Sequence, residues 1–146
     1  MGWWAQMKNQ RGALWAFLSI FDIPDIVYPE RTYLRRLRII QTPFFGVYLH
    51  FIYLPDVSDP HDHPWNFLSI VLNGEYLEEV HVSHQNIIRS WKRWSIHKMS
   101  CYSTHRILLV NENTITLVFT GRRKRQWGFQ TKNGWVSWHE YIPSEV

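Results

Sequence analysis

The chain has 146 residues and a mass of 17.7 kDa, enough for one domain around one core and too few for two. Hydrophobic residues at 45% against 19% charged exclude a disordered chain, and the single Cys101 excludes both a disulfide framework and a four-cysteine zinc site. The net charge of +4 is unevenly spread: residues 1–88 carry six basic and nine acidic side chains (−3), residues 89–132 ten basic side chains against Glu112 (+9), and residues 133–146 only Glu140 and Glu145 (−2).

Near the N-terminus, Leu14, Trp15, Phe17, Leu18 and Phe21 recur at helical spacing, which predicts a short amphipathic helix around 13–20, ended by Pro24 and Pro29. Lys8 and Arg11 precede its apolar stretch, but no Ala-x-Ala-like site follows, and no apolar run nears the ~20 residues of a membrane span. A cytoplasmic protein with no membrane partner is the expectation. From residue 32 the pattern changes to period two. Strands are expected over 32–41, 44–54, 66–72, 76–82, 86–91, 94–98, 104–110, 114–120, 126–131 and 135–141. Asn73-Gly74, Asn111-Glu112-Asn113 and Lys132-Asn133-Gly134 supply turn signals. Short strands at regular spacing indicate an all-β sandwich or barrel over residues 1–146, with residues 1–30 as a helical or extended segment packed on it.

Eight histidines is a high count. His61-Asp62-His63 stands out, because residues two apart on an extended segment share a face, and two imidazoles on one face can share a metal ion. Two loop histidines without a metal are the plain alternative. A third ligand must come from elsewhere in the chain. His105 fits best: it opens a strand whose same-face neighbours Ile107 and Leu109 are apolar, so it should face the interior, where an unpaired imidazole is costly.

The run Pro60-His61-Asp62-His63-Pro64-Trp65-Asn66-Phe67, followed by Gly74, resembles the first metal-binding motif of the cupin superfamily, and His105 matches the histidine of the second. Thr42–His50, Trp127-Gly128-Phe129 and Gly134–Trp138 extend the resemblance, over about 31–141, to small cupins of bacteria and their phages. It implies a double-stranded β-helix, a jelly-roll barrel with its metal inside the barrel mouth. The chain departs from the pattern in two places. The family's glutamate slot falls at Phe67 or Leu68, and Ser100–Thr104 lacks the Pro-x-Gly that precedes the second-motif histidine. Asn66 and Glu78 are therefore weighed as fourth ligands, and His97 as the alternative to His105.

A three-histidine site implies a divalent metal, Fe(II) first and Zn, Ni or Mn otherwise, and a dioxygenase-type enzyme acting on a small molecule or a modified residue or base. A metal-dependent isomerase or lyase is the alternative. Asp62, between the histidines, should point to the opposite face, which speaks against a His-x-Asp ligand set. Tyr48, His50 and Arg38 are candidate substrate contacts, as is Cys101, which is otherwise a small core residue. Arg122, Arg123, Lys124 and Arg125 form a basic patch that suits phosphate or nucleic acid, or a solvated hairpin loop. A non-catalytic binding module for nucleic acid or protein is the third reading, less favoured than a small-molecule enzyme. A homodimer is the expected assembly if the chain associates.

Overall fold

The structure, a computed structural model, describes residues 21–28, 31–82, 85–111 and 114–141. The expected helix around 13–20 lies outside the described residues. Among the described residues there are eleven strands: β1 (Phe21–Tyr28), β2 (Arg31–Gln41), β3 (Gly46–Ile52), β4 (Phe67–Asn73), β5 (Glu75–Val82), β6 (Gln85–Lys92), β7 (Ile96–Met99), β8 (Thr104–Val110), β9 (Thr114–Thr120), β10 (Gly128–Thr131) and β11 (Gly134–Ser137).

One layer is a six-stranded antiparallel sheet in the order β1-β2-β3-β9-β4-β7. The facing layer is built from β6-β5-β8 and the hairpin β10-β11. The segment around His61 joins these two pieces: His61 bridges His105 of β8 on one side and Phe129 of β10 on the other. Two such layers with antiparallel pairing make the all-β jelly roll that the strand pattern predicts.

β1 corrects the sequence reading, which placed no strand before residue 32. Pro24 cannot donate to a ladder, so a strand containing it belongs at a sheet edge or a bulge. β1 meets both conditions: it is the edge strand, and its register against β2 shifts between Ile23 and Ile26. The last strand is also shorter than expected. After Ser137 the chain turns, with the Glu140 and Tyr141 amides donating to the Ser137 carbonyl, and Tyr141 comes back to stack on Phe129 at 3.7 Å.

The alternation of β9 sets the interior. Thr114, Thr116, Val118 and Thr120 point inward, opposite Ile52, His50, Tyr48 and Gly46 of β3. At one end of the barrel Ile52, Val71, Tyr76 and Ile107 form the apolar core, with Leu34 packed against it. Gly74 closes the adjacent β4–β5 turn at φ +73, a conformation for which glycine is the natural choice. The other end, marked by Thr120, Phe67 and Met99 in register across β9, β4 and β7, carries the histidines. On the outer side of this sheet Leu49 and Leu117 are half-buried, and Phe119 is 39% exposed.

Candidate metal centre

His61, His63 and His105 converge: one ring nitrogen from each lies within 4.8 Å of the others. The fold brings them together by simple means. His61 and His105 are directly opposite one another, exchanging both backbone hydrogen bonds at 2.8 and 2.9 Å. His63, two residues along on the same face, brings its Nε2 to 2.7 Å from Nε2 of His105. His105 is buried at 7% exposure, whereas His61 and His63 are half-buried, so the cluster has a sealed side and an accessible one.

Glu78 decides the chemistry of the cluster. Its carboxylate, 1% exposed, accepts from Nδ1 of His105 at 2.5 Å and from the Trp91 indole at 2.6 Å. Burial pushes the Glu78 carboxyl up, but the bonds from His105 and Trp91 outweigh it and hold the group below its usual range. The Glu78 contact engages Nδ1 of His105 and leaves Nε2 facing the other two histidines. Burial is also the main reason His61 is pushed down to about 4 and His63 well below its ordinary value, with neighbouring imidazoles adding to the fall at His63. Neutral imidazoles are what a divalent metal requires.

The donor set fits such an ion. Two imidazole nitrogens 2.7 Å apart must share a proton or a cation, or else their lone pairs repel, and Nδ1 of His61 is closed off with no hydrogen-bond partner. A carboxylate holding the outer nitrogen of a ligand histidine is the usual second layer of metal sites. These residues can hold a divalent metal through three imidazoles.

The weighed alternatives fall outside the ligand set. Glu78 orients His105 and is not among the converging donors. His97 is a core residue, stacked on Trp91 at 4.2 Å with Nε2 3.4 Å from the Tyr76 hydroxyl. Asn66 uses Oδ1 to accept from the Cys101 amide at 2.9 Å, which shapes the turn into β8. The glutamate slot of the motif holds Phe67, whose ring meets His63 edge-on at 4.9 Å and lies 6.1 Å from His105. Cys101 is fully buried in the turn before β8, as a small core residue.

Asp62 points away from the cluster, as its position between the histidines predicts. It is 1% exposed and has three partners: Arg125 Nη1 at 2.7 Å, the Gly128 amide at 2.7 Å and the Trp135 indole at 2.8 Å. Sequence reasoning missed this junction, and with it one member of the basic run. Arg125 is tied to Asp62, donates to the Cys101 carbonyl at 3.0 Å, and lies over the rings of Tyr102 and Trp135. Arg122, Arg123 and Lys124 are exposed on a loop pinned to the histidine segment, Gly121 donating to the Asn66 carbonyl and Lys124 to that of Pro64.

Of the proposed substrate contacts, Tyr48 and His50 face the interior with ring centroids 6.3 Å apart, and Arg38 lies opposite Tyr48, its Nη1 donating to Gln41 at 2.8 Å. Burial pushes His50 down to about 3, helped by the positive charge of Arg36. A cleft of about 600 Å³ includes Phe67, Val80 and Met99 in its lining but none of the three histidines.

No family model matches the chain, and no curated protein matches its sequence. Solved structures do match in three dimensions. The hydroxypropylphosphonic acid epoxidase from S. wedmorenis aligns with a TM-score of 0.50 and 12% identity over 61% of this chain and 50% of that one. A crystal structure of Fe(II) HppE gives 0.55 and 12% over 70% and 55%. The vicilin from Solanum melongena gives 0.53 and 12% over 70% and 31%. The chain thus spans about half the length of the epoxidase structures. At these identities the likeness shows the fold alone: a cupin-type jelly roll. Among the described residues no helix is long and apolar enough to cross a membrane.

Proposed function

We propose that the protein is a metal-dependent cupin enzyme of the three-histidine type, with Fe(II) as its ion, that oxygenates a small molecule. The observation that carries the reading is the convergence of three histidine side chains with no carboxylate among the described donors. Bound there, Fe(II) supplies Lewis acidity and access to dioxygen chemistry. Iron is favoured because imidazole suits it, and because solved structures of the similarly folded epoxidase hold Fe(II) or Co(II).

The chain's own residues do the rest. Glu78 fixes the tautomer and ring direction of His105, so that its lone pair faces the pocket. Phe67 meets His63 edge-on and so fills that side of the cluster with an apolar ring in place of a further ligand. Tyr48 and His50 line the interior beside them; burial pushes the Tyr48 phenol above its ordinary value, so it stays a neutral hydrogen-bond donor.

The test is elemental analysis of tag-free protein beside a His61→Ala/His105→Ala variant. The expected result is one equivalent of iron in the first and none in the second, followed by O₂ consumption on screening small molecules. One equivalent of zinc, nickel or manganese, with activity indifferent to O₂, would turn the reading to an isomerase or lyase. No metal after anaerobic Fe(II) reconstitution would sink it.

A further inference from the structure

The interior beyond the histidines holds a charge that no described carboxylate offsets. The alternation that sends Leu34 into the core sends Arg36 and Arg38 to the same inner face of β2, opposite His50 and Tyr48 of β3. Arg38 has Gln41 as a partner. Arg36 forms no ion pair among the described residues, and its Nε is closed off from solvent with no hydrogen-bond partner. The buried carboxylates are already engaged. Glu78 holds His105 and Trp91, Asp62 holds Arg125, Gly128 and Trp135, and Asp56 accepts from the Tyr33 hydroxyl and the Ile107 amide.

A buried guanidinium N–H left without a partner is costly, and an incoming anion would satisfy it. Arg36 stands toward the histidine end: it lies directly opposite His50 in the β2–β3 ladder and lowers the proton affinity of that ring. The approach is also cationic, since Arg122, Arg123 and Lys124 are exposed on the loop fastened to Pro64 and Asn66, immediately after His63. Such a rim concentrates anions at the entrance.

We infer that Arg36 is the anchor for an oxyanion, a carboxylate or a phosphonate-type group, on the small molecule that this pocket takes. The inference deepens the enzymatic reading and rests on it for the neighbouring ion, but not for the anchor itself. A guanidinium offers a planar pair of donors to such a group. The substrate class is thus a small organic acid that presents its anionic end to Arg36 and its remaining polar atoms toward the three histidines.

Calorimetric titration of the iron-loaded protein with propionate and with methylphosphonate, against sodium chloride at equal ionic strength, tests this. At least one of the two should bind at a single site, and the stronger one names the class. Arg36→Gln should weaken that binding at least tenfold with metal content unchanged, and Arg36→Lys should recover part of it. Arg106→Gln, whose guanidinium pairs with Glu79 at 2.6 Å, should leave it unaltered. In chloride buffer Arg36→Gln should unfold at the same temperature as the parent or higher, because an unpaired charge is removed.

Equal binding by Arg36→Gln, or no binding of either anion to the parent, overturns the proposal. So does failure of both Arg36→Gln and Arg36→Met to fold, which would make Arg36 a structural charge. If the parent takes up no metal yet binds the anion through Arg36, the metal reading fails and the anchor stands; metal uptake with equal anion binding by Arg36→Gln gives the reverse.

Discussion

At the level of single residues, the contact that most controls the site is the one from His105 to Glu78. Sequence reasoning singled out both but gave Glu78 the wrong task. What it lacked was direction. Glu78 lies on β5 beside β8, two residues before Val80, which stands opposite His105, and its carboxylate meets the far nitrogen of the ring. A sequence lists donors; it does not say which nitrogen each one faces. Replacing Glu78 by Gln keeps the shape but weakens the hold on the His105 tautomer, and outer-layer changes of this kind cost about 10–100-fold in metal affinity. Competition with a calibrated chelator should read a loss in that range, and unchanged affinity would show that Glu78 does not support the ion.

At the level of elements, His-x-His was legible because period two is a local property of the backbone. The same argument placed Asp62 on the far side. It did not reveal what waits there, since Arg125, Gly128 and Trp135 come from a loop and a hairpin more than sixty positions away. Removing one partner of a buried ion pair costs about 3–5 kcal/mol. Asp62→Ala should lie toward the low end, because Arg125 retains some exposure, and denaturant unfolding would measure it. Gly128 is constrained from two sides: its amide feeds Asp62, and a Cβ there would come within 2.1 Å of the Val136 carbonyl. Gly128→Ala should therefore push the β10–β11 hairpin off the histidine segment and cost about 1–3 kcal/mol, the usual range for overpacking. Native-like unfolding of that variant would mean the hairpin has slack that the structure does not display.

For the molecule as a whole, the strand pattern from residue 32 onward was readable in sequence because nearly every connection carries a turn signal. β1 was not, because proline at 24 argues for a helix end as well as for a sheet edge, and only the pairing with β2 separates the two. The assembled barrel places an apolar floor, a cationic wall and a histidine-lined end in sequence along one axis. Its acid response follows. His61 and His50 stay neutral in the folded state down to about 4 and about 3, whereas in the unfolded chain they take up protons near 6.5. Unfolded chains thus bind more protons below 6.5, so acidification favours unfolding, and stability rises with pH between about 4 and 6.5 before levelling off. Glu78, held below its ordinary range, acts in the same direction at lower pH. Denaturant titrations of metal-free protein at pH 7.5, 6 and 5 should show a progressive fall, with pH 6 below pH 7.5 and the larger drop between 6 and 5; a flat series would contradict the burial of these rings.

The bridge from β8 through His61 to β10 also fixes an order of events during synthesis. His61 and His63 leave the ribosome early, and their partner His105 more than forty residues later. The hairpin that clamps Asp62 between Gly128 and Trp135 follows later still. A nascent chain halted before residue 126 holds every metal ligand yet lacks the strand on one flank of His61. An ion taken up at that stage would meet the three histidines before the hairpin holds them in place, which is when a wrong metal has the fewest obstacles.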